Sequence, residues 1–303
     1  MKRTLLAAAL AAVSLAGATA QTSWVYDFGT NTGTFTTANS SSTTFLPDPP
    51  PGGGSARVRV GTNGGGFTLV NPGSGSYLSG AASTGTGTTV DKFSIYDFAD
   101  PTAAFSVKFD AKLTGADAGS WLFLAGAGAT FSNNAALANP QVFAGLKWSY
   151  ATNGGILSSN RSGSAWKLTT NASLLQDTSY MFEVVGNNGP DAIVYRDSFT
   201  LAAGTYDLWI NNGLVAAGLG KAGLSNGTPI NSFMFYGENS PGNAATIELD
   251  NIVYANHVVP EPSKIALLAL AAIGCVGYMQ RRRIRARACE IPRRRRDRVW
   301  WHV

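Results

Sequence analysis

Residues 103–113, AAFSVKFDAKL, alternate with a period of two: Phe105, Val107, Phe109, Ala111 and Leu113 on one side, Ser106, Lys108, Asp110 and Lys112 on the other. That period predicts a β-strand with one face buried and one in water, the arrangement of an antiparallel sheet. Similar short runs recur as SWVYDF, SARVRV, GFTLV, KFSIYDF, SWLFLAG, QVFAGLKWSY, SYMFEVV, AIVYRDS, TYDLWI, SFMFYG and TIELDNIVY, separated by Gly, Ser, Thr and Asn. About a dozen strands with no sustained helical period predict two packed antiparallel sheets. Within TYDLWINNGLV, Asn212-Gly213 is a hairpin signal, because both central residues of the favoured turn need positive φ. Residues 39–54, ending in three prolines and three glycines, and residues 71–89, almost all small, read as loops.

The ends of the chain follow other rules. Lys2 and Arg3, an apolar run to Gly17 and Ala18-Thr19-Ala20 form a secretory signal peptide over residues 1–20, so the exported chain is expected to begin at Gln21. Near the other end Val259-Pro260-Glu261-Pro262-Ser263 precedes sixteen mostly apolar residues, 265–280, and then Arg281, Arg282 and Arg283. Sixteen helical residues reach about 24 Å against about 30 Å of hydrocarbon. Snorkelling by Lys264 and Arg281 makes this a short transmembrane helix, and the arginines after it hold the cytoplasmic side. The body, residues 21–257, is then placed outside the cytoplasm.

Charge sharpens the division. The net charge of +5 suggests a nucleic-acid partner, but ten of the 23 basic residues lie in the last 23 positions. Residues 21–262 carry 10 basic and 16 acidic side chains, a net charge of −6. An acidic body excludes the basic footprint of a nucleic-acid-binding domain. Both cysteines, Cys275 and Cys289, lie in the tail, so the body has neither a disulfide nor a cysteine metal site.

The hairpin TYDLWINNGLV, with the closing strand IELDNIVY about thirty residues later, resembles the concanavalin A-like, laminin-G-like jelly-roll domains. The resemblance implies a two-sheet sandwich whose last strand pairs beside the first. The tail is similar to the PEP-CTERM sorting signal of Gram-negative bacteria: motif at 260–262, helix at 265–280, arginines at 281–283. That likeness implies export through the Sec translocon, transient anchoring in the inner membrane with the body periplasmic, and cleavage by a membrane-embedded exosortase. Release to the cell surface or an extracellular matrix rich in exopolysaccharide, as in a biofilm, would follow. Residues 284–303 continue past the point where such tails usually stop, and their Arg-rich sequence is expected to stay disordered.

The body's inventory restricts its chemistry. Its one histidine, His257, stands at the junction with the tail, so a Ser-His-Asp triad or a histidine zinc site within the sandwich is excluded. Glu248 and Asp250, at i and i+2 in IELDNIVY, share a strand face as the carboxylates of a glycosidase must. The fragment looks like part of the Glu-x-Asp-x-x-Glu motif of laminarinase-like glycoside hydrolases, but Val253 occupies its third position. A structural or binding role is therefore expected rather than catalysis. Asp27 and Asp250 are the candidate pair for a structural calcium ion where the first and last strands meet, with turn hydrogen bonds as the alternative role. Trp148, Tyr150 and Trp166, around a Gly/Asn/Ser-rich loop, are the candidate glycan-binding aromatics, with burial in the core as the alternative. The function expected is that of an exported structural or exopolysaccharide-binding protein. Its rival is a jelly-roll polysaccharide hydrolase or lyase.

Overall fold

A computed structural model describes residues 22–258 apart from residues 39, 44, 87–89, 116, 133–136 and 197. The expected signal peptide, the PEP motif, the apolar helix, the arginine cluster and the basic tail all lie outside the described residues. Among the described residues no helix is long and apolar enough to cross a membrane.

The strands in chain order are β1 (Ser23–Tyr26), β2 (Gly33–Phe35), β3 (Ser40–Ser42), β4 (Ser55–Val60), β5 (Gly66–Val70), β6 (Tyr77–Ala81) and β7 (Asp91–Tyr96). Next come β8 (Ala104–Thr114), β9 (Ser120–Gly126), the single-turn helix α1 (Ala129–Ser132), β10 (Val142–Tyr150), β11 (Gly155–Ser162), β12 (Ala165–Leu175) and β13 (Ser179–Asn187). The last are β14 (Ile193–Tyr195), β15 (Phe199–Leu201), β16 (Thr205–Ile210), β17 (Gly213–Gly220), β18 (Ser232–Glu238) and β19 (Thr246–Ala255).

These strands form two antiparallel sheets of a jelly-roll sandwich. The first has the order β17-β16-β13-β8-β19-β6-β5-β2, with β1 added beside β19, and the second the order β12-β11-β10-β9-β18-β7-β4-β3. The terminal strands meet as the jelly-roll resemblance implies, Trp24 opposite Tyr254 and Tyr26 opposite Ile252. β14 and β15 form a separate hairpin. Its Tyr195 and Leu201 pack with Val185 and Trp209.

The core fills the space between the sheets, and alternation along each strand decides what enters it. Phe109, at the midpoint of β8, stacks on Phe182 of its own sheet at 5.5 Å and meets Phe235 of the other sheet edge-on at 4.9 Å. Such aromatic pairs contribute about 0.5–1.5 kcal/mol each beyond area burial.

In three places the structure corrects the sequence-based picture. β3 and β6 lie inside the two stretches read as loops. In β6, YLSGA, the large neighbours require Gly80: a Cβ there would come within 2.8 Å of Phe67 and 2.9 Å of Trp121. β11 and most of β12 are also strands, where the Gly/Asn/Ser-rich composition suggested a loop. The hairpin between β16 and β17 turns at Asn211-Asn212, one residue before Asn212-Gly213, with φ of 50° and 64° and Ile210 opposite Gly213. The strand beside it selects this register. The Asn211 N–H donates to the Met181 carbonyl at 2.8 Å, and its side-chain oxygen accepts from the Met181 N–H at 2.9 Å.

Candidate functional site

The outer face of the first sheet carries its charge in the middle. On β8 the residues that alternate with the buried phenylalanines are Lys108, Asp110 and Lys112; on β19 Glu248 and Asp250 point the same way as their partners across the ladder. Pairing sets Glu248 opposite Lys112 and Asp250 opposite Asp110. With Tyr77 of β6 and Ser179 of β13 these side chains line an open groove of about 240 Å³. The sequence-based pair Glu248 and Asp250 is thus brought together on one face as its i, i+2 spacing requires.

Asp110 is the member that sequence reasoning left unassigned. Its signal was present, since it lies on the wet side of the clearest strand, but only the register of β8 against β19 places it beside Asp250. The groove is held by local bonds. Asn251, at φ 51° in a bulge after Asp250, donates its backbone N–H to Asp250 Oδ1 at 2.8 Å and its side-chain amide to Asp110 Oδ2 at 2.8 Å. Burial pushes the Asp250 carboxyl above the usual carboxylate range; the Asn251 N–H opposes the shift, and the charges of Asp27 and Asp110 add to it. Lys112 Nζ lies 3.5 Å from Glu248 Oε2, with both side chains about a third exposed. A pair so hydrated contributes about 0–1 kcal/mol. Val253 lies beyond the bulge, opposite Lys108.

The charge of Asp27 acts on Asp250, but each carboxylate is engaged in a turn: Asp27 Oδ1 accepts the Gly29 N–H at 2.9 Å, as Asp250 accepts that of Asn251. Among the described residues no group of three or more His, Cys, Asp and Glu side chains is arranged to hold a metal ion.

The aromatic cluster proposed from sequence does not assemble. Trp148 is 0% and Tyr150 6% exposed, because both occupy the inward positions of β10. Trp148 packs against Phe182 at 4.9 Å, and the Tyr150 hydroxyl donates to the Thr246 carbonyl at 2.5 Å. Neither ring has a face free for a sugar. Trp166 lies across the sheet from them, half-buried on the outer side, with the Arg161 guanidinium 5.1 Å from its ring centre. Alternation puts Lys147 and Trp148 on opposite faces, so nearness in sequence did not make a cluster.

A second hollow, of about 360 Å³, lies where the chain enters the sandwich, lined by Trp24, Pro51, Gly52, Phe98, Asp100 and Tyr254 among others. Its aromatic walls belong to the core: Trp24 lies 5.3 Å from Phe98 and 5.2 Å from Tyr254 between ring centres.

No family model and no curated protein matches the sequence. Among solved structures the chain is similar to the binding domain of botulinum neurotoxin DC in complex with rat synaptotagmin II: 12% identity, TM-score 0.42, covering 77% of this chain and 50% of that one. It is similar also to Trypanosoma rangeli sialidase in complex with the inhibitor DANA, at 17% identity and TM-score 0.39 over 71% of this chain and 29% of that one. For the cellulose-induced protein Cip1 the values are 15%, 0.39, 65% and 88%. The chain spans about half the length of the neurotoxin chains it matches. None of these likenesses is close enough to bring a ligand or a reaction to this chain.

Proposed function

We propose that this chain is an exported surface protein whose sandwich binds exopolysaccharide, and that the groove on the first sheet is its binding site. The observation that carries the reading is the meeting of Asp110, Glu248 and Asp250 with Tyr77 on a solvent-facing sheet. Carboxylates accept hydrogen bonds from sugar hydroxyls, and an aromatic ring offers an apolar face to the ring of the sugar. Affinity electrophoresis in gels containing neutral polysaccharides, dextran and a soluble β-glucan among them, is the test. Retardation that disappears in the Asp110→Asn/Glu248→Gln variant supports the groove; equal mobility with and without every neutral glycan removes it.

One observation favours a hydrolase as the second reading: Asp110 supplies a carboxylate opposite Asp250 where Val253 breaks the laminarinase-like motif. Reducing ends released from a polysaccharide and lost in Glu248→Gln would make the groove catalytic.

The address rests on residues 258–283. An exosortase is the proposed partner that reads Pro260-Glu261-Pro262, with Arg281, Arg282 and Arg283 fixing the helix in the inner membrane. Replacing Pro260, Glu261 and Pro262 by alanine is expected to leave the chain uncleaved in the membrane fraction of its host; unchanged release would remove the sorting assignment.

A further inference from the structure

The outer face of the second sheet has the opposite charge, and its register lines cations up. Arg59 of β4 stands opposite Lys92 of β7, Lys92 opposite Tyr236 of β18, Tyr236 opposite Leu122 of β9, and Leu122 opposite Lys147 of β10. Arg57, two residues before Arg59 on the same face of β4, stands opposite Ser94. Two residues along a strand set the Cα atoms of Arg57 and Arg59 about 7 Å apart, and one strand across sets that of Lys92 about 5 Å from Arg59.

The acids nearest the row are bonded to other groups, although the charge of Asp91 still acts on Arg59. Asp91 lies on the inner side of β7 with Phe93 and Ile95, buried, where its Oδ1 accepts the Gly61 N–H at 3.2 Å. Glu238 is held by Lys147 at 2.6 Å and by the Ser120 hydroxyl. Among the described residues Arg57 and Arg59 enter no salt bridge, and Arg57 Nε and Arg59 Nη1 are buried without an acceptor. A buried guanidinium N–H without an acceptor is costly and calls for a missing partner. Lys92 strengthens the local field: it is 3% exposed, reaches the Thr130 carbonyl at 3.4 Å, and has its amine pushed down to about 8 by burial and then by Arg59.

We propose that Arg57 and Arg59, backed by Lys92, form a second binding site, on the outer face of the second sheet, for the carboxylate groups of an acidic, uronate-bearing polysaccharide. A guanidinium presents its donors as a planar fork that matches a carboxylate, and two forks on one strand face receive two such groups or one group from two sides. Tyr96 and Tyr236, half-buried on the same face, pack against Leu122, Leu124, Phe131 and Met234, so the arginines are the groups offered to a ligand. A polynucleotide fits less well, because it requires a longer basic stripe than three cations on a body of net charge −6. The polymer's identity as a glycan rests on the function proposed above, whereas the anion site stands on the arginines alone.

The test is affinity electrophoresis of the full-length protein in mild detergent, against polygalacturonate, dextran and double-stranded DNA, at rising salt. Polygalacturonate is expected to retard the protein in a salt-sensitive way. Arg57→Gln/Arg59→Gln should weaken this by about tenfold or more while leaving dextran retardation unchanged. Arg57→Lys/Arg59→Lys, which keeps charge and stem but loses the fork, should recover part of the binding; it also reads the site if the glutamine variant fails to fold. Polygalacturonate binding that ignores both variants, or binding to DNA at least as tight, overturns the proposal. Loss of dextran binding by the wild type, with polygalacturonate binding intact and arginine-dependent, overturns the groove instead.

Discussion

The two outer faces of the sandwich are built alike and charged differently. On the strands of the first sheet Asp110, Glu183, Asp207, Glu248 and Asp250 outnumber Lys108 and Lys112; on those of the second, Arg57, Arg59, Lys92, Lys147, Arg161 and Lys167 outnumber Asp91 and Glu238. The excess acid and the excess base do not meet, because a hydrophobic layer separates them and alternation sends each side chain one way only. Asp110 and Asp250 are bonded by Asn251, Glu248 is paired with Lys112, and Asp207 accepts from the Tyr195 hydroxyl and the Gly218 N–H. On the second face Arg57 Nε and Arg59 Nη1 are left without an acceptor among the described residues, although the charge of Asp91 acts on Arg59. The first face therefore reads as an acceptor-rich surface for hydroxyl donors, and the second as donors waiting for an anion.

The strongest way to break the contrast is to remove the layer that maintains it. Phe109→Ala leaves a cavity touching both sheets and is expected to cost about 3–5 kcal/mol, lowering the melting temperature by roughly 10 °C in a thermal scan. Retention on neutral and on acidic glycans should then fail together on warming. Loss of one activity at a temperature where the other persists would show that the faces are not coupled through the core.

A smaller effect comes from Asp91, the acid buried beneath the basic row. Burial raises its carboxyl from 3.8 to about 7, opposed by backbone N–H groups of Gly61 and Ser83 and by Arg59. The folded pKa lies above the unfolded one, so the contribution is fully present below pH about 4 and is lost as pH rises through about 7. Stability measured by urea denaturation should accordingly decline between these limits from this group, and Asp91→Asn should flatten that slope by an amount on the order of 1–3 kcal/mol. An unchanged slope in the variant would place the proton elsewhere.

The smallest effect is expected at the surface pair of the acidic face. Lys112→Gln should change stability by less than about 0.5 kcal/mol in the same denaturation experiment, since both partners are hydrated. Yet it should alter groove binding by freeing Glu248, and a large loss of stability instead would mean that the pair is structural.

Much of this molecule was legible as pattern. The alternation in residues 103–113 became the central strand β8, and IELDNIVY became the closing strand beside the first. Tyr77 was missed because it stands in the stretch of mostly small residues, 71–89, that read as a loop, and only the bulk of Phe67 and Trp121 packed over Gly80 accounts for that small residue. For Trp148 the sequence left two roles open, glycan contact and core, because it shows that a residue alternates, not which side of the sheet is filled; the structure assigns it to the core. Asp110 and Arg59 could be placed on wet faces from their strands alone, but not beside Asp250 or Lys92. Those neighbours are 140 and 33 positions away in the chain and meet only through strand pairing.

By itself, then, the sequence determined the period-two strands, the all-β class, the acidic body and the basic, PEP-bearing tail, because these are properties of neighbours along the chain. The tertiary structure alone decided which wet faces share a sheet, which aromatics are consumed by the core, and which charges are left without partners. Those depend on register and on the filling of the space between two sheets, where residues far apart in sequence compete for the same volume.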